Sequence, residues 1–328
     1  MITINFRMKV LMLMLLGAAS VSLAVQAQAE GYPDRPITWV VPYPPGGTTD
    51  TVARNIADVM APLLGTSIVV ENKAGAGGQI AMAYVARSKP DGYTLLVSDA
   101  SLSTAPSLYK SMQVDPLKDL AAVSLFVTVP HVLVVNPEVK VASLSELVAL
   151  TKKYPGKLDF GSGGVGSPLH LAGAALKLAA GLQWTHVPYK GAGPAILAAI
   201  SHQVDVATPS LPSALPQISA GKLRALAVTS PARISVLPDI PTVGELGYPK
   251  ATVFGWVGLH APAGIPEEAN LSLQKAAAEA MKNTDLVERL RSLGADITYK
   301  SSDAYAKLVS DEAVRWDGVV KRLGLTPQ

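Results

Sequence analysis

From Ile37 onward the chain repeats one arrangement: a short apolar run, a loop, and a stretch of helical periodicity, with several of the loops rich in glycine. No other feature constrains the fold as much. Buried strands alternating with amphipathic helices are the units of an α/β architecture, here expected to have largely parallel sheets. Ile37–Val41 reads as the first strand and Thr48–Leu64 as the first helix, with apolar Val52, Ile56, Val59, Met60 and Leu63. Residues 68–71 and 93–98 read as strands, with a helix ending at Arg87 between them. The pattern renews at residue 131. Strands follow at 131–136, 158–161, 185–188, 204–207 and 223–229, and helices at 143–153, 168–180 and 194–200. Ser143, with Glu146 three residues on, forms a capping box. A proline-rich stretch over 231–249 lacks periodicity, and a strand at 253–260 precedes helices at 265–283 and 302–323.

The N-terminus carries a leader. Arg7 and Lys9 precede an apolar run that opens at Val10, and Ala27-Gln28-Ala29 places small residues at −3 and −1. This is the pattern of a secretory signal peptide over residues 1–29, with cleavage expected after Ala29 and a periplasmic location expected for the mature chain. Gly17, Ser20 and Ser22 interrupt the run and argue against a membrane anchor. The leader supplies two of the three formal net positive charges, leaving +1, so no polybasic surface points to nucleic acid. Aromatic residues make up only 5% of the chain, which also argues against single-stranded nucleic acid and stacked sugars. The absence of cysteine excludes a disulfide framework, a lipidated N-terminus and thiolate chemistry.

Three of the glycine-rich loops stand between a strand and a helix, the position where ligands bind in open α/β sheets. A helix start offers unpaired N–H groups and partial positive charge, and so holds a carboxylate or phosphate without a basic side chain. The first loop is Tyr43-Pro44-Pro45-Gly46-Gly47-Thr48-Thr49-Asp50; taken alone, it reads equally well as an ordinary capped turn. The second, Gly161-Ser162-Gly163-Gly164-Val165-Gly166-Ser167-Pro168, places Ser167 at an N-cap and Pro168 at the first helical position. It also satisfies G-x-G-x-x-G, but no Asp or Glu occurs over residues 176–193 to hold a ribose, so it reads as an anion cradle. In the third, Tyr189-Lys190-Gly191-Ala192-Gly193-Pro194, Lys190 reads as a solvated residue.

Catalytic signals are thin. The five histidines show no metal-ligand spacing, and neither a metal nor a cofactor is expected. Ser167 and His170 suggest an exported hydrolase, but the segment is not G-x-S-x-G and no acid partner is assignable. The chain reads as a binding protein rather than an enzyme.

Taken together, the motifs resemble the substrate-binding proteins of tripartite tricarboxylate transporters, the Bug or TctC-like family, over essentially the whole mature chain. They include Tyr32-Pro33-Asp34-Arg35-Pro36, the first glycine loop, Val70-Glu71-Asn72-Lys73-Ala74-Gly75, Pro90-Asp91-Gly92-Tyr93, Val187-Pro188-Tyr189-Lys190-Gly191, Leu211-Pro212-Ser213-Ala214 and Leu237-Pro238-Asp239-Ile240-Pro241-Thr242. The resemblance implies a type II periplasmic-binding-protein fold, two α/β lobes with a ligand cleft between them. Residues 30–130 plus 252–328 would form one lobe and 131–251 the other. It implies capture of a small organic carboxylate and delivery to the membrane permease subunits of the transporter; a sensing module that docks a receptor kinase is the alternative. By position, the ligand-binding residues implied are Tyr43, Gly46, Gly47, Thr48 and Ser101, with Asp50 steadying the first loop, and Ser162, Gly163, Gly166, Ser167, Pro209 and Ser210 opposite. Pro209 and Ser210 stand where relatives commonly carry Asp-Asn. This implies a ligand less like an amino acid and more apolar beyond its carboxylate, either aromatic or aliphatic.

Overall fold

The computed structural model describes residues 31–322; the signal peptide expected over 1–29 lies outside them. The first part of the chain forms β1 (Ile37–Val41), α1 (Thr48–Leu64), β2 (Ile68–Asn72), α2 (Gln79–Ala86), β3 (Thr94–Ser98), α3 (Ser101–Leu108) and β4 (Leu120–Pro130). Next come β5 (Val132–Val135), α4 (Leu144–Lys153), β6 (Leu158–Ser162), α5 (Pro168–Ala180), β7 (Trp184–Pro188), α6 (Ala192–Ile200), β8 (Val206–Ala207), α7 (Leu211–Ser219) and β9 (Arg224–Val228). The chain then returns as β10 (Phe254–Pro262), α8 (Glu267–Ala280), α9 (Thr284–Ser292), β11 (Asp296–Lys300) and α10 (Ser302–Arg322).

These strands make two sheets, one ordered β11-β4-β10-β3-β1-β2 and the other β7-β6-β8-β5-β9. Each is the spine of one α/β lobe. The sheets are mixed rather than largely parallel. β10 runs antiparallel to β3 and β4, and β5 runs antiparallel to β8 and β9. The direction follows from the path: the chain leaves the first lobe along β4 and re-enters along β10, so two neighbouring strands of one sheet must run opposite ways.

Local signals account for the best-placed helices. α1 starts after an extended Gly47 and stops at Gly65, whose left-handed backbone (φ 69°) suits a helix C-cap. Its buried side, including Val52, Ile56 and Met60, shares a cluster with Trp39 and Phe126, whose rings stack at 5.8 Å. In the second lobe Phe160 and Trp184 stack at 4.9 Å. Gly173 of α5 lies directly against the Phe160 ring, where an added methyl would overlap it. Gly173→Ala is therefore expected to cost about 1–3 kcal/mol through overpacking, read as a lowered urea midpoint at unchanged slope.

The lobes meet at two crossings, between β4 and β5 and just before β10. Thr229 joins them. Its N–H donates to the His131 carbonyl at 2.9 Å, and its own carbonyl accepts from Val253 N–H at 3.0 Å. Its hydroxyl accepts from His131 N–H and donates to the Val253 carbonyl. The C-terminal helix is shared as well. Tyr305 and Val309 of α10 pack with Val40, Leu96 and Trp256 of the first lobe, while Trp316, Val319 and Val320 pack with Leu171, Ala172 and Ala175 of α5.

Candidate functional site

Between the lobes lies a cavity of about 620 Å³, within the usual range for small-molecule sites. Four helix starts face it: Gly47 and Thr48 of α1, Ser167 and Pro168 of α5, Gly191 and Ala192 of α6, and Ser210 and Pro212 of α7. The starts of α1, α6 and α7 have no side-chain cap. Nothing among the described residues accepts from the N–H groups of Thr48, Thr49 and Asp50, nor from those of Ala192 and Gly193. Each start adds its share of the helix dipole, which favours an anion there without a buried cation. Lys190 lines its rim and is exposed, in keeping with its reading as a solvated residue.

Across the gap the lobes touch through hydroxyls. Thr48 Oγ1 lies 2.8 Å from Ser210 Oγ and 2.8 Å from Ser213 Oγ, and Ser210 donates to Ser213 at 3.2 Å. Much of the remaining wall is apolar, with Pro45, Leu169, Ile196, Leu197, Pro216 and Val257.

Of the residues expected to meet a ligand, Tyr43, Gly46, Gly47, Thr48, Gly163, Ser167 and Ser210 line the cavity, whereas Asp50, Ser101, Ser162, Gly166 and Pro209 do not. Each of the latter has a local task. The Asp50 carboxylate accepts from Gly46 N–H and Asn72 Nδ2, both at 2.9 Å, and from Arg54. Burial alone would raise its pKa, but these donors together bring it below the ordinary carboxylate value. Ser101 donates to Asp99 Oδ1 through both N–H and hydroxyl. Asp99, buried at the cavity wall beside Tyr43, is raised by burial against those hydrogen bonds. Burial, and then the charge of Asp99, raise the Tyr43 hydroxyl well above its ordinary value. Pro209 supplies a carbonyl to Val132 N–H.

The second glycine loop offers less than the expected anion cradle because several of its donors are spent internally, whereas the N–H groups of Gly163 and Val165 have no acceptor among the described residues. Gly164 N–H donates to Ser162 Oγ, Gly166 N–H to His170 Nδ1, Ser167 N–H to the Gly164 carbonyl, and His170 N–H to Ser167 Oγ. Ser167 is thus the cap of α5. Its hydroxyl meets the main chain of His170, not the imidazole, which stacks on His186 at 4.1 Å. The sequence reading underweighted the starts of α6 and α7. It gave Leu211-Pro212-Ser213-Ala214 only as part of the family resemblance, although Ser210 followed by proline two residues on is a helix-start signal. It also missed Asn72, which donates to the Tyr43 carbonyl and Asp50, and the wall residues Asp99 and His131. Among the described residues no three His, Cys, Asp or Glu side chains could hold a metal ion, and no helix is long and apolar enough to cross a membrane.

Residues 52–325 match the profile of the family described as the tripartite tricarboxylate transporter family receptor, TctC. The chain belongs to the TctC receptor family. This TctC receptor is 38% identical to protein BugT of Bordetella pertussis over 93% of its own length and 94% of that protein. Solved structures agree. The periplasmic binding protein BugD superposes with a TM-score of 0.84 at 37% identity, covering 90% of this chain and all of that one. R. palustris Rpa4515 with adipate gives 0.86 at 34% identity over the same shares. MatC from Rhodopseudomonas palustris with bound malate gives 0.81 at 35%, covering 88% of this chain and all of that one. The fold of the TctC receptor is therefore that of the periplasmic binding proteins, two lobes around a ligand cleft.

Proposed function

We propose that this TctC receptor is exported to the periplasm, closes on a small carboxylate-bearing molecule and delivers it to the membrane subunits of a tripartite tricarboxylate-type transporter. The observation that carries the reading is the set of unpartnered N–H groups at the start of α1, facing Ser210, Ser213 and the open start of α6 across a cavity with no buried cation. Such a site grips an anion through backbone and hydroxyl donors. The adipate and malate bound by two structural relatives are anions of this class. The apolar wall suits a ligand whose body beyond the carboxylate is uncharged.

In this reading residues 30–130 and 252–328 move as one lobe and 131–251 as the other, opening by rotation at the crossings that Thr229 joins. The residues proposed to hold the carboxylate are Gly47 and Thr48, in the loop that the Gly46 N–H bond to Asp50 steadies, with Ser210 and Ser213 opposite and the Ala192 and Gly193 amides beside them.

Native mass spectrometry of freshly purified protein, with identification of any retained molecule, tests the ligand class. Thr48→Val is expected to weaken binding of the retained acid by about 1.5–3 kcal/mol, the worth of a hydrogen bond to a charged group. Ser167→Ala is expected instead to lower stability by about 1 kcal/mol through loss of the α5 cap. An unchanged dissociation constant in Thr48→Val would remove the α1 start from the site.

A further inference from the structure

Five buried side-chain nitrogen or oxygen atoms among the described residues lack a hydrogen-bond partner, and two of them are the ring nitrogens of His131. His131 is 2% exposed and lines the cavity. Trp39 and Ser124 do not line it, and Trp256, which does, has its indole beside the Tyr305 hydroxyl. His131 is therefore the cavity-lining residue that carries two unpaired ring nitrogens, one a donor and one an acceptor. Its main chain cannot shift to relieve them, being held on both sides by Thr229. Burial keeps the imidazole neutral and lowers its pKa to about 4, outweighing the Pro209 and Thr208 carbonyls beside the ring, which favour its charged form.

His131 and Ser210 are cross-strand partners in an isolated bridge, so the imidazole stands next to the hydroxyl that meets Thr48. Gly255 also lines the cavity, and a side chain there would begin 3.6 Å from His131 Nε2. A buried polar group left unpaired in the empty site favours a ligand that pairs it and rejects the analogue that does not.

We infer that His131 is a specificity-determining residue that hydrogen-bonds a neutral hydroxyl or carbonyl on the body of the bound carboxylate. The inference rests on the carboxylate reading above. It narrows the ligand class from apolar acids to acids carrying an additional uncharged polar group.

The test is calorimetric binding of two pairs of acids, hexanoate with 6-hydroxyhexanoate and benzoate with 4-hydroxybenzoate, to the wild type, His131→Leu and His131→Gln. At least one hydroxylated acid is expected to bind the wild type tenfold or more tightly than its parent. His131→Leu should bring that ratio close to one. His131→Gln, which keeps a donor and an acceptor, should restore part of it. Equal affinity within both wild-type pairs overturns the inference without needing a folded variant. Equal losses for parent and hydroxylated acid in His131→Leu also overturn it, reducing His131 to a structural role. Failure of the wild type to bind any of the four acids would instead remove the carboxylate reading itself, and this inference with it.

Discussion

Replacing Trp316 with alanine is expected to remove about 3–5 kcal/mol of stability, the cost of deleting a large buried aromatic side chain. Trp316 is 3% exposed and sits where α10 leaves the first lobe and packs on Leu171, Ala172 and Ala175 of α5, beside Leu108 and Val253. The void would be walled by helices of both lobes, so neither lobe could fill it by collapsing alone. Arg315 adds a second tie, donating to the Thr252 carbonyl at the returning crossing, but it is partly exposed and its loss should cost much less. Urea unfolding of the purified variant at neutral pH checks the expectation; a difference below about 1 kcal/mol would mean that the end of α10 contributes little.

Acidification is expected to have an effect of similar size. Burial lowers the pKa of His131 and His170 to about 4 and that of His260 to about 3. A repulsive contribution from His186 and Lys177 assists at His170. Between the ordinary imidazole value of 6.5 and these native values the unfolded chain binds more protons than the folded one, so protons favour unfolding. The stability is fully present above pH 6.5, drains below it, and is lost once pH has fallen through about 4. By pH 5 each imidazole accounts for about 2 kcal/mol, and the three together for about 6. Two groups work the other way. Asp99, raised by burial, relieves a cost as it takes up a proton. His202, raised by Asp205 and Glu138 against its own desolvation, stabilises on charging. Urea midpoints at pH 7.5, 6 and 5 should fall steeply, and a flat profile over that range would falsify the assignment of neutral buried imidazoles.

Where a chain signal is local, the fold was legible. Thr48–Leu64 and Pro168–Ala180 have the boundaries read from the sequence because each is bracketed by its own punctuation: Gly47 and Gly65 for one, Ser167 and Gly181 for the other. β4 was not anticipated, although it is the longest strand. Its residues are buried on both faces, so no period-two alternation marks it. α3 buries Ser101, Ser103 and Thr104 and contains Pro106, which hides its helical character. α9 and β11 were absorbed into the gap between two expected helices. The first wall of the cleft was legible for the same reason as α1. The opposite wall was not, because whether a helix start is open depends on which hydroxyl turns inward. Ser167 turns back on its own helix, and Ser210 reaches across to Thr48.

The outgoing and returning strands are neighbours, and Pro130 stands directly opposite Phe254 at the point where the chain crosses. Two covalent links so close together behave as the spine of a book. A swing of the proposed kind would turn the covers about that single line, with little freedom to slide or twist. The free edges travel farthest, so any membrane partner that distinguishes a full receptor from an empty one has its largest signal at the rim, far from the spine.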